Sequence, residues 1–398
     1  MKCRVVLILL LLMTLGGALQ ARYEFFTPDG SFAIEISLEN SSELRLPIYQ
    51  NAITSLAVVD DLVIGGTSAE SGMSPFVFAA SLSGRRLESA VDVDTVVPGQ
   101  RAIRSGFGRA ADGTLLAGTM PQEIGDSGHL IRIRVGSNGL EVKDLGIPVP
   151  GEGVFALASD EKRRVVYGIC HPSGKFFMHR LEDGTAQVFD DTEPSRSAKG
   201  ILHSYGLEAA DILSRALVID QAGKVYGSQP GGSVFRFDPV DEGFEVLEDP
   251  LPEVWGRAPL GRVDAWAISP DGLLYGGNAA DGQLFKLDPA SREVVNLGKP
   301  IMMARLKALA FAGDGLLYGI AGGTPGYAHL FTYDPEGSGY QDLGNPRFVM
   351  NAPGIDQGVF WRGFQIATMA VSENGKYVVL GEEEALSQLM VFPVTAGD

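Results

Sequence analysis

The chain has 398 residues, 49 acidic against 32 basic side chains, and a formal net charge of −17. So acidic a protein is repelled by nucleic acid and by anionic membranes, and neither is an expected partner. Hydrophobic residues make up 45 %, which excludes a disordered polyelectrolyte in spite of 51 glycines.

Residues 1–21 read as an export signal. Lys2 and Arg4 form a basic start, Val5 to Leu12 an apolar run, and Gly16, Gly17 and Ala18 supply small residues for cleavage after Ala18 or Ala21. The run is too short to favour a membrane span, and no later segment is long and apolar enough for one. An exported chain, periplasmic or extracellular, is expected. Removal of the signal takes Cys3 and leaves Cys170, so no intramolecular disulfide is expected and packing must hold the fold.

From residue 22 to 398 one repeat dominates. Asp271-Gly-Leu-Leu-Tyr-Gly276 and Asp314-Gly-Leu-Leu-Tyr-Gly319 are nearly identical. Ala222 to Gly227 and Arg163 to Gly168 share their frame, and Asp112 to Gly118, Asp60 to Gly65 and Asn374 to Gly381 fit more loosely. Each is a tight turn followed by a short apolar strand, because glycine accepts positive φ there. A second strand follows, as in Gly232 to Pro239, Gly282 to Pro289 and Ala328 to Pro335, and Asp-Pro ends it because proline cannot continue a ladder. Short strands ending in Asp-Leu-Gly or Asn-Leu-Gly, and strands such as Val263 to Ser269, complete a four-stranded unit.

Seven units start near residues 51, 101, 153, 213, 262, 305 and 362. The last has three strands, and Ser31 to Leu38 alternates suitably to supply the fourth. The expected fold is an all-β, seven-bladed β-propeller of four-stranded antiparallel blades, closed by an N-terminal strand. Six or eight blades remain compatible with the degenerate end copies. One short helix is expected within Glu208 to Arg215.

With its tyrosine-glycine and aspartate-proline motifs, the chain resembles the broad class of bacterial secreted seven-bladed propeller repeat proteins. It is similar in style to the YVTN, kelch and gluconolactonase-like groups, without the paired glycines of kelch blades or the Trp-Asp ends of WD blades. The shared motifs are structural, so the resemblance implies a fold and assigns no functional residue.

Call the strands of a blade A to D from the channel outwards. A–B and C–D turns then share one face and are short. B–C loops and D–A crossings share the other and are long, which places the site there, over the channel. Arg101, Arg104, Arg196, Arg215, Arg257, Arg262, Arg305, Arg347 and Arg362 all fall in D–A crossings or at the start of strand A. Guanidinium binds carboxylate, sulfate or phosphate bidentately, so substrate-binding roles are expected for Arg215, Arg262, Arg305 and Arg362. The alternative is pairing with Glu193, Glu208, Asp211, Glu253 and Asp356 in the same loops. Trp255 and Trp361 stack on sugars or fill gaps between blades, Trp266 belongs to the core, and His171 lies in a B–C loop; substrate binding is expected of Trp255, Trp361 and His171 as well. His203 and Tyr205, among arginines, are the pair expected to perform a β-elimination. Glu382, Glu383 and Glu384 read as a solvated turn or a cation site, and Cys170 as buried at a strand end. No metal-ligand spacing or cofactor motif is present, and a metal requires His129, His171, His203 and His329 to converge through the fold.

Three functions compete. The first is binding, with possible eliminative cleavage, of an extracellular anionic oligosaccharide or polysaccharide. The second is a non-catalytic scaffold for a protein partner. The third is a metal-dependent lactonase or hydrolase.

Overall fold

In a computed structural model the chain forms seven sheets arranged as blades around a channel, antiparallel throughout except that Phe25–Phe26 runs parallel to the outer strand of blade 6, Gly339–Val349. Residues 25–26, 28–37, 44–137, 139–189, 208–254, 256, 260–322, 328–337, 339–349, 360–362, 365–384 and 387–394 are described, with backbone only at 25–26, 347–349 and 360–362. The innermost strands are Ala52–Val59, Gly108–Arg109, Gly153–Asp160, Val218–Ile219, Val263–Ile268, Leu306–Phe311 and Ile366–Val371, for blades 1 to 7 in chain order. In blade 2 the A strand starts later than the repeat suggests. Gln100–Ala102 instead pairs with Met120–Pro121 and touches the end of strand B of blade 1 through Ala102 and Ser68. Among the described residues helix is limited to Ala209–Ile212, the short 3-10 turn Val93–Thr95 and a 3-10 residue at Leu260. Ala209–Ile212 is one turn that begins at Glu208, whose backbone N–H donates to the Asp211 carboxylate at 3.3 Å. No described helix is long and apolar enough to cross a membrane.

Closure is as the repeat requires. Phe32–Glu35 lies antiparallel to Gln388–Pro393, with Phe32 opposite Val391 and Glu35 opposite Gln388. It is the outer strand of blade 7, and Ile34 and Ile36 are buried against Leu389, Val391 and blade 1. Pairing the two ends removes sheet edges that would otherwise template aggregation.

The tyrosine-glycine motif has a packing cause. Gly65, Gly168, Gly227, Gly276 and Gly319 each lie opposite a phenylalanine of strand C: Phe78, Phe177, Phe235, Phe285 and Phe331. In every pair a Cβ on the glycine would run into the aromatic ring. The ring therefore covers the bare Cα, and glycine is needed for close approach rather than for a turn. Gly276→Ala is expected to cost about 1–3 kcal/mol by overpacking, read as a lower urea midpoint at unchanged slope.

The Asp-Pro ends have a second cause besides proline. Asp238, Asp288 and Asp334 each accept a backbone N–H two residues on, from Val240, Ala290 and Glu336, at 2.8–2.9 Å. The carboxylate thus forms the C–D turn itself.

Candidate functional site

Five innermost strands carry the same irregularity. The ladder between strands A and B skips one residue, which is Thr54, Phe155, Asp264, Lys307 or Ala367 in blades 1, 3, 5, 6 and 7. Such a bulge leaves its extra residue unpaired and re-aims it, and all five line one cavity of about 320 Å³ on the channel. Arg215 belongs to the same set. It, Asp264 and Lys307 each stand eleven residues before the tyrosine of their blade, Tyr226, Tyr275 and Tyr318.

Asp264 is the hub. Its side chain is 2 % exposed. Arg262 Nε donates to Oδ1 at 2.8 Å, and Arg305 donates to Oδ2 through Nε at 3.1 Å and Nη2 at 2.8 Å. Arg215 Nε lies 3.8 Å from Oδ1, beyond hydrogen-bond reach. Burial opposes ionisation of Asp264, but Arg262, Arg215 and Arg305 together outweigh it and hold its carboxyl down at about 2. Burial pulls the Arg215 guanidinium down to about 10. Asp264 opposes that fall, while Arg305, Arg262 and Arg104 add to it. Arg215 Nε is buried and finds no acceptor among the described residues, although Nη2 donates to the Ala210 carbonyl at 3.3 Å.

Around the channel cavity four cations, Arg104, Arg215, Arg305 and Lys307, face two carboxylates, Asp264 and Glu383. Arg104 pairs with Glu383 at 2.9 Å. A neighbouring cavity of about 400 Å³ shares these four cations and adds Arg101, Tyr49, Gln365 and Glu384. A third, of about 330 Å³, shares Arg101, Arg104 and Arg215 and reaches Met120, Phe155 and His171. His171 stacks on Phe155 with ring centroids 5.5 Å apart, and the Arg215 guanidinium lies 5.6 Å from the centroid of the same ring. Burial pushes the His171 imidazole down. Glu152 opposes that shift and Arg215 adds to it.

Several expectations take a different shape. Arg215 and Arg305 do converge on the channel, and His171, the last residue of its strand, shares the third cavity with Arg215. Arg262 is 6 % exposed, lies behind Asp264, and also donates to the Asp211 carbonyl, so it braces the hub and lines none of these three cavities. Among the described residues Arg262 and Arg305 pair with Asp264 and Arg104 with Glu383, and none pairs with the carboxylate of Glu208, Asp211 or Glu253; Glu193 and Asp356 lie outside the described residues. The Glu382–Glu384 segment is not a solvated turn: Glu382 is fully buried, and Glu383 and Glu384 face the arginines. Trp266 packs edge-on against Phe285 and also lines the channel cavity. Cys170 is buried at the strand end. His129 and His329 turn away to pair with Asp144 and Asp342 at 3.0 and 3.1 Å. No three His, Cys, Asp or Glu side chains among the described residues gather as metal ligands. His203, Tyr205 and Trp255 lie outside the described residues, as do the side chains of Trp361 and Arg362. Asp264, Lys307 and Phe155 are site residues that the sequence reading does not single out, and Glu383, read there as part of a solvated turn or a cation site, pairs with Arg104. The common spacing of Arg215, Asp264 and Lys307 from the tyrosine was the available signal.

Solved structures share this fold. Virginiamycin B lyase from Staphylococcus aureus superposes with a TM-score of 0.60 at 10 % identity, over 92 % of this chain and 100 % of that one. The RRP9 WD40 repeats give 0.57 at 12 %, over 91 % and 100 %. The extracellular domain of the one-component system BT4673 from B. thetaiotaomicron gives 0.55 at 13 %, over 91 % of this chain and 40 % of that one. Identities this low show a common propeller architecture and nothing of function. No protein-family model and no curated protein matches the sequence.

Proposed function

We propose that this protein is an exported propeller that binds an anionic polysaccharide, one bearing uronates, at the mouth of its channel and cleaves it by β-elimination. The observation that supports the reading is the unbalanced charge of the channel cavity: among the described residues four cations face two carboxylates, in a chain of net charge −17. Low-dielectric walls focus such a field on an incoming carboxylate. Arg215, with a buried N–H that has no acceptor among the described residues, and Arg104 are the groups that take it.

Elimination needs two further groups. A base removes the proton α to the carboxylate, the carbon–carbon double bond forms as the β carbon–oxygen bond breaks, and an acid protonates the departing oxygen. The guanidiniums stabilise the charge that develops on the carboxylate meanwhile. His171, kept neutral by burial beside Arg215, is the proposed base. His203 and Tyr205, in the crossing that leads to Arg215, remain the proposed source of the second proton transfer. The Staphylococcus aureus lyase also depends on a histidine, since a histidine-to-alanine form of it is catalytically inactive. Export rests on the basic, apolar and small-residue order of residues 1–21.

The test is ultraviolet absorbance of unsaturated product from a panel of polyuronates, with thermal shift as a binding readout. kcat/KM is expected to climb with pH through a value below 6.5 and then to level off, because His171 must shed its proton and its affinity for it is lowered. His171→Ala removes that limb. No product and no thermal shift across the panel overturn the reading in favour of a scaffold for a protein partner.

A further inference from the structure

We propose that Lys307 is a carbonyl-capturing amine, and that the cavity around it takes a 2-oxo acid as a covalent imine. This does not rest on the elimination reading, since it uses a different group and a different bond.

Lys307 is the bulge residue of blade 6, so its side chain leaves the ladder and enters the channel. It lies where the channel cavity meets its neighbour and lines both. Ion pairing explains the arginines beside it: Arg104 has Glu383, and Arg305 has Asp264. It does not explain Lys307, because no hydrogen bond or ion pair from its ammonium joins it to another described residue. Burial lowers the proton affinity of the amine. Glu383 opposes that fall, while Arg305 and Arg215 add to it. An amine so placed is the ordinary requirement for imine formation.

The same cavity supplies the remaining parts. Arg101, Arg104 and Arg305 line it and offer guanidinium to a carboxylate adjoining the carbonyl. Glu384 lines it too. Burial raises its carboxyl, Glu383 raises it further, and Lys307 opposes the rise, so it holds a proton more readily than an exposed glutamate. The neutral amine attacks the carbonyl carbon to give a carbinolamine. Glu384 protonates the hydroxyl, which leaves as water, and the nitrogen proton returns to Glu384 as the carbon–nitrogen double bond forms. No oxidant is consumed, and hydrolysis reverses the step.

The experiment is reductive trapping on the full chain, with pyruvate as the probe and cyanoborohydride as the reductant, read by intact mass and peptide mapping. One adduct per chain at Lys307 is expected, with at least a tenfold preference over acetaldehyde, which has a carbonyl and no carboxylate. Lys307→Arg should lose the adduct while melting within a few degrees of the parent. Adducts scattered over surface lysines, or none, overturn the proposal, as does equal trapping of acetaldehyde. Polyuronate cleavage measured on the same preparation separates the two readings: cleavage without trapping removes this one alone, and trapping without cleavage removes the other alone.

Discussion

Asp264→Asn is expected to lower the stability of the folded ring by about 3–5 kcal/mol, the range found when one partner of a buried ion cluster is removed. The substitution keeps the shape of the side chain and takes away its charge. Arg262 and Arg305 then keep their positions without the carboxylate that both of them grip, and Arg215 loses the nearest negative charge at 3.8 Å. Urea unfolding checks this, and a loss below about 1 kcal/mol would mean that the arginines do not need the hub. Acid titration gives an independent handle. The carboxyl is held at about 2 against an ordinary 3.8, so its contribution is complete above pH 3.8 and fades as pH falls towards 2. At about 1.4 kcal/mol per unit the shift corresponds to roughly 2–3 kcal/mol. Asp264→Asn should flatten the stability profile across that window.

Arg215→Met is expected to do the opposite to stability while it weakens binding. Burial holds the guanidinium down at about 10 against 12.5, so keeping it charged at neutral pH works against the fold. Its side chain retains 28 % exposure, so the gain from an apolar replacement is put at about 1–2 kcal/mol, well under the full shift. Asp264 still keeps two arginines. Affinity for a polyuronate should fall roughly 10- to 100-fold, the loss expected for a charge-assisted hydrogen bond. Calorimetric titration and a thermal melt on one preparation read both quantities. A destabilised variant with unchanged affinity would place Arg215 in the framework and remove it from the ligand site. A site that costs stability until its ligand arrives is a common mark of function.

Much of the architecture was legible because it rests on local chemistry. Asp-Gly at 271–272 and 314–315 must turn, and both glycines have φ near +85° (90° and 81°). The missing strand of blade 7 could be inferred from arithmetic on the repeat, and Phe32–Glu35 fills it within the expected Ser31 to Leu38. The site was legible by face and by residue type, since arginines of the crossings do gather at the channel. Their partners were not legible. Arg104 finds Glu383 some 280 residues along the chain, and no local rule brings those two together. The bulges were hidden for a similar reason. A run such as Arg262-Val-Asp-Ala-Trp reads as plain alternation, and only pairing with strand B shows that Asp264 has dropped out of register. Three consecutive glutamates at 382–384 suggested solvent. Their cationic neighbours come from blades 1, 2, 4 and 6, which sequence proximity cannot reveal.

Closure of the ring by Phe32–Glu35 also sets a clock. Ser37 Oγ donates to the Ser387 carbonyl, a contact that spans 350 residues. At a synthesis rate of about 5–20 residues per second, the first strand waits roughly 20–70 s for its partner to be made. Through that interval Ile34 and Ile36 have blade 1 to pack against but not Leu389 and Val391, and the ring stays open. Closure of the ring therefore waits until the final blade has emerged. A chain that stalls before Gln388 is left open, with apolar strands exposed at both ends.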